Sequence, residues 1–222
     1  MAKLQVENIY QKAVTEGLEH AISLERFQRY LDWTQGDKYR AFELYAFNMR
    51  VSEALYTPVH VLEIALRNRF TAVLSDAFGE NWFTHPSLNL SETQRQQLDN
   101  ARKDIIREGK TVQSGRLVAA LTFGFWTSLL SPEAENLWQQ TLHKAARQEN
   151  GKGLTRKHLS KPLLPIRVLR NRIAHHEPVW HWDLPLHHAN MLQVTAWLSP
   201  AAAKWSAYHS NFTQAWGKKP VL

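Results

Sequence analysis

The chain contains no cysteine among its 222 residues. That excludes disulfides, thiol nucleophiles and cysteine-ligated zinc, and it suits a reducing, cytoplasmic setting. Methionine is scarce, at three residues, and glycine and proline number nine each, too few for a low-complexity or linker-dominated chain. No apolar run approaches the eighteen or so residues that a membrane span needs. The opening Met1-Ala2-Lys3-Leu4-Gln5-Val6-Glu7 lacks the apolar core of a signal peptide. The alternating pattern of half-buried strands is also missing. Acidic residues are outnumbered, 20 against 27 basic ones, leaving a net charge of +7 and a pI near 9.7. That balance favours an anionic partner such as nucleic acid.

What is present is helical. Apolar residues recur at three- and four-residue intervals nearly throughout, so the fold is expected to be all-α, in one domain over 1–222. The first thirty-three residues should hold one or two helices, with Ser23 as an N-cap. Gly36-Asp37 should turn and cap a long helix through Tyr45, Met49 and Leu55. Thr57-Pro58 reads as a helix restart, with proline at the first helical position. The restarted helix, bearing Val59, Leu62, Leu66, Phe70 and Val73, should stop near Gly79. Ser91-Glu92-Thr93-Gln94 is a capping-box pattern for a polar helix reaching about Glu108. Gly109 and Gly115 bracket a short basic loop. Leu117 to Leu130 reads as one buried helix, and its Phe123-Gly124-Phe125-Trp126 as core packing. Pro132-Glu133 should open a helix through Leu142. Residues 152–161 read as a basic connection, Pro165 as the start of a helix that Pro178 closes, and the chain as ending in a helical pair around Pro200.

That penultimate stretch carries the chemistry. In Leu169-Arg170-Asn171-Arg172-Ile173-Ala174-His175-His176-Glu177-Pro178, four residues separate Arg170 from His175. Ile166, Leu169, Ile173 and His176 form a core-facing stripe, which turns His176 partly inward, while Asn171 and His175 share a more exposed face. Arginine suits bidentate contact with phosphate oxygens, and histidine titrates near neutrality, so it can move protons on and off oxygen. Because RNA supplies its own 2′-OH nucleophile, a base, an acid and a charge stabiliser suffice, with no cofactor and no metal. On an ideal helix Arg170 and His175 lie well over a right angle apart, so a symmetric dimer that apposes two such helices would complete the site. The histidines with Glu177, His181 and Asp183 match no metal-binding spacing. His187 and His188 read as capping or decorating a helix start.

Lys144, Arg147, Lys152, Arg156, Lys157, Lys161 and Arg167 form a basic run leading into the motif and could guide RNA. Leu66-Arg67-Asn68-Arg69 repeats the letters of residues 169–172 without a following histidine. Glu63, one turn before Arg67, can pair with Arg67 along its own helix, or one of the two can reach the motif helix.

Four blocks, in order, carry a resemblance: Ala41-Phe42-Glu43-Leu44-Tyr45 with Asn48, then Leu62-Glu63-Ile64-Ala65-Leu66-Arg67-Asn68, Leu121-Thr122-Phe123-Gly124-Phe125-Trp126, and residues 169–178. With these the chain resembles the Abi-like (abortive infection, AbiD/AbiF-type) family of the HEPN superfamily, most strongly over 23–180. The resemblance implies a HEPN-type helical bundle, here with additional N- and C-terminal helices. It further implies homodimers, RNA as ligand or substrate, and a role in phage defence. It gives the phosphate-orienting role to Arg170, the polar role to Asn171 and the catalytic role to His175, with His176 matching at one longer spacing. Arg172, Arg67, Lys161 and Arg167 are the candidate substrate contacts and Glu63 the candidate supporting residue. An endoribonuclease, a non-catalytic RNA-binding protein and a helical interaction protein with structural histidines remain the competing functions.

Overall fold

The computed structural model describes Leu18 and residues 21–220. Most of the expected helix or helices of the first thirty-three residues therefore lies outside the described residues. Among those described there is no strand, only an isolated bridge between Arg147 and Gly153, and the architecture is all-α. No helix among them is long and apolar enough to cross a membrane. The described residues form two compact units, one of 21–54 with 178–182 and 211–220, the other of 55–177 with 183–210.

The first unit contains α1 (Leu24–Trp33), the beginning of α2 (Lys38–Phe78) and α10 (Phe212–Trp216). Ser23 stands at the N-cap of α1, although its hydroxyl makes no capping bond. Asp37 does cap α2, its Oδ1 accepting the Arg40 amide at 3.0 Å. The core is aromatic: Phe27 meets Phe42 at 4.3 Å, Tyr30 meets Tyr45 at 5.1 Å, and Trp33 meets Trp180 edge-on at 5.3 Å. Burial pushes the Tyr30 phenol well above its ordinary pKa. Asn48, almost fully buried, is the polar centre of this unit. Its Oδ1 accepts the amides of Val179 at 2.7 Å and Trp180 at 3.1 Å.

The second unit holds the rest of α2 with α3 (Glu92–Arg107), α4 (Ser114–Ala120), α5 (Phe123–Ser128), α6 (Glu135–Gln140), α7 (Arg156–Ala174), α8 (Leu184–Leu198) and α9 (Pro200–His209). Several expected boundaries are met. Ser91 and Gln94 close a reciprocal capping box on α3, and α2 ends at Phe78 before Gly79, whose φ is +82°. Phe125, Trp126 and Trp82 are fully buried against one another, so the aromatic segment is core packing as expected.

Other boundaries move, each for a physical reason. No restart occurs at Pro58, because α2 is continuous through it. Leu55, Val59, Leu62 and Leu66 form one buried stripe across the proline. Burying each large side chain contributes roughly 1.5–3 kcal/mol, which together exceeds the ~3 kcal/mol that an internal proline costs. Nor does Pro165 open α7, which starts nine residues earlier at Arg156. The Thr155 hydroxyl caps it by accepting the His158 amide at 3.1 Å, and buried Leu159, Leu163, Ile166 and Leu169 carry it past Pro162 and Pro165. The expected single helix over 117–130 is broken at Leu121-Thr122. Leu121 is extended, and the Thr122 hydroxyl accepts the Phe125 amide at 3.2 Å to start α5. Pro132 opens only a 3-10 turn (Pro132–Ala134), and a second, Leu142–Ala145, follows α6. Gly115 lies inside α4 rather than in a loop.

His187 and His188 lie in the first turns of α8, as expected, and burial holds both below the ordinary histidine pKa of 6.5. The His188 Nε2 sits 2.9 Å from the Ser210 hydroxyl. A histidine whose folded pKa lies below its unfolded value resists protonation, so its stabilising effect is full above about pH 6.5 and declines as pH falls. Thermal melts between pH 7.5 and 5 should show stability dropping in the acid range, with His188→Gln flattening the drop. An unchanged pH dependence in that variant would contradict the assignment.

Candidate functional site

The motif helix α7 ends at Ala174, and the chain reverses through a tight C-terminal turn. The His176 amide donates to the Ile173 carbonyl at 3.0 Å and the Glu177 amide to the Arg172 carbonyl at 2.9 Å. This crossed pair is a Schellman turn, with His175 as C-cap and His176 at the position that usually holds glycine. His176 accordingly has φ +57°. Both imidazoles are exposed. The expectation that His176 turns partly toward the core is therefore corrected: the helical stripe stops at Ile173, and the left-handed backbone of His176 itself takes its side chain off the helical wheel. Arg172 Nη1 lies 3.5 Å from Glu177 Oε2 across the same turn, so its charge is shared with that carboxylate.

A left-handed conformation costs a non-glycine residue about 1 kcal/mol. His176→Gly should therefore raise stability by about that amount, a shift of roughly 2–4 °C for a chain of this size. A melting temperature that falls would show that the imidazole makes compensating contacts.

Arg170 departs from α7 in another direction. Its Nε donates to Glu63 Oε1 on α2 at 2.7 Å, with both side chains partly exposed. Screening by water keeps such a pair modest in energy. Its effect is orientation: one edge of the guanidinium is fixed, leaving the two terminal nitrogens and their four N–H groups to meet an incoming anion. Of the two possibilities open for Glu63, the cross-helix contact is the one realised. Arg67 lies one turn further along α2, where its Nε donates to Asn68 Oδ1 at 3.2 Å.

The Arg170–Glu63 pair lines a small cleft with Ile173 and with Tyr56, Val59 and His60 of α2. His175, His176, Asn171 and Arg172 are not in its lining: Asn171 and Arg172 follow Arg170 in the last turn of α7, and the two histidines lie just past its end. Lys161 and Arg167 are not gathered there either. Lys161 precedes Arg170 by about two and a half turns and so lies on the opposite side of α7. The remaining basic run separates into different surroundings. Arg156 is bound to Glu135 Oε2 and the Leu130 carbonyl, both at 2.6 Å. Lys144 and Arg147 line another cleft with Arg69, whose guanidinium donates to the 144 and 145 carbonyls.

Tyr56 and His60 were not singled out from the sequence. Their four-residue spacing, continued by Glu63 and Arg67, marks one face of α2 and was the available signal. Among the described residues, no three His, Asp or Glu side chains are grouped as a metal ion would require.

The model of a protein family described as Abi-like protein matches residues 22–181, well over half of the chain and the whole of this cluster. Neither a curated protein nor a solved structure matches.

Proposed function

The chain belongs to the Abi-like protein family, which supports a role in abortive infection, and from that premise we propose that it is a HEPN-type, metal-independent endoribonuclease. The observation that supports this reading best is the pairing of Arg170 with Glu63 on the very helix that ends in exposed His175 and His176. The anchored guanidinium holds the scissile phosphate and stabilises the charge that develops on its oxygens. His175, with His176 beside it, does the acid–base work, and Asn171 contributes polar contact from the preceding turn. The 2′-oxygen loses its proton to a base and attacks the adjacent phosphorus. The bond to the 5′-oxygen breaks, and an acid returns a proton to that leaving oxygen. The products carry a 2′,3′-cyclic phosphate and a 5′-OH.

The base and the acid must stand on opposite sides of the phosphate, whereas one chain presents its two histidines at a single helix end. Two copies related by a twofold axis supply both groups, which is why we assign the active form as a homodimer with a composite site. Arg172, Arg67, Lys161 and Arg167 add charge that attracts RNA in a salt-dependent manner. The cysteine-free chain suits the reducing cytoplasm, the location that fits this reading.

Incubating the protein with single-stranded RNA in excess EDTA tests this directly. Cleavage persisting at full rate is the expected result. Salt-sensitive binding without cutting would favour the non-catalytic RNA-binding reading, and no affinity at low salt would leave a helical interaction protein. Light scattering should give a dimer at micromolar concentration, and a monomer would count against the composite site.

A further inference from the structure

We infer that Tyr56, supported by His60, is a nucleobase-stacking subsite that seats a base of single-stranded RNA next to the phosphate held by Arg170. This deepens the ribonuclease reading and rests on it. Tyr56 is 65% exposed. Its ring and that of His60 are nearly parallel, 18° apart, with centroids separated by 6.0 Å. That separation is a slipped stack rather than a face-to-face one, so much of the tyrosine face stays uncovered. The imidazole behind it limits the ring's freedom, so an incoming base meets a partly ordered platform.

Placement makes this pair more than a helix-stabilising contact. Tyr56 and His60 line the same cleft as Glu63 and Arg170. Tyr56, His60, Glu63 and Arg67 follow one another at spacings of four, three and four, which keeps them on one face of α2. Along the helix axis Tyr56 stands about 10 Å from Glu63, and Arg67 about 6 Å beyond Glu63 on the other side. The face therefore offers, in order, an aromatic platform, an anchored guanidinium for phosphate and a second arginine. Aromatic rings alternating with cations are how single-stranded nucleic acid is gripped, because every base has a π-face and every linkage carries a charge. Base-paired RNA keeps its bases stacked and cannot use such a platform, so the substrate class is unpaired RNA.

The test uses the full chain and one RNA oligonucleotide made uncleavable by a 2′-deoxy sugar at the mapped cut. A second set carries single abasic riboses at the positions flanking that cut. For wild type, one abasic position should weaken binding by about 10-fold. Tyr56→Ala should lose about the same factor on intact RNA and nothing further on the abasic strand, while Tyr56→Phe should bind like wild type. Additive losses, or Tyr56→Ala binding intact RNA as tightly as wild type, would overturn the subsite while leaving the ribonuclease reading in place. Wild type that neither binds nor cuts RNA would overturn both. Light scattering on Tyr56→Ala completes the experiment: loss of the dimer would show that this face contacts a second copy of the chain instead.

Discussion

His175→Ala should reduce RNA cleavage by roughly 10²- to 10⁴-fold, the usual contribution of a positioned acid or base, while RNA affinity stays close to wild type. The imidazole is exposed, and the hydrogen bond that fixes this residue runs through its backbone, from the His175 amide to the Asn171 carbonyl at 2.9 Å. Alanine keeps that bond, so the fold should survive and the loss should fall on turnover. Arg170→Ala should behave differently: it removes the anchored phosphate contact and leaves Glu63 without its partner, so both binding and turnover should weaken. A His175→Ala protein that still cuts at the wild-type rate would move the proton-transfer role to another histidine, with His176 the next to test.

The second large effect is on stability. Asn48→Ala removes the acceptor for two amides, those of Val179 and Trp180, in a buried setting. Leaving a buried polar group unsatisfied costs about 1–3 kcal/mol, so the two together should cost about 3 kcal/mol. For a chain of this size that corresponds to a fall in melting temperature of roughly 6–12 °C. No aliphatic replacement can accept these bonds, so Asn48→Leu should be at least as damaging despite its similar size. A loss under 1 kcal/mol would mean that water reaches both amides.

These expectations rest on residues of unequal legibility. Asp37, Gly79 and the Ser91–Gln94 capping box could be read from sequence because each acts within a turn or two, so the local letters contain the whole cause. Asn48 could be read only as part of a block of letters. Its purpose depends on amides 131 and 132 residues away. The prolines misled for a related reason. Proline at a first helical turn and proline inside a helix are the same letter, and what separates them here is burial of Leu55, Val59 and Leu62 around Pro58, and of Leu159, Leu163 and Ile166 around Pro162 and Pro165. His176 followed the helical wheel on paper, but the helix ends two residues earlier in a left-handed turn. At the site, the motif letters placed Arg170 and the histidines on one helix. The sequence left Glu63 with two possible partners, and the contact with Arg170 requires α2 and α7 to be packed before it exists. Tyr56 and His60 are not legible in the sequence, because an exposed aromatic pair acquires meaning only once Arg170 shares its cleft.

In the proposed reaction RNA is cut by its own 2′-OH, with protons moved by the histidines just past the end of α7. Mass spectrometry of the products, formed in EDTA from an oligonucleotide with one mapped cut, tests it most directly. A 2′,3′-cyclic phosphate on one fragment and a 5′-OH on the other are expected, with no cutting when the sugar at the cut is 2′-deoxy. A 5′-phosphate with a free 3′-OH, or continued cutting at the 2′-deoxy position, would contradict it.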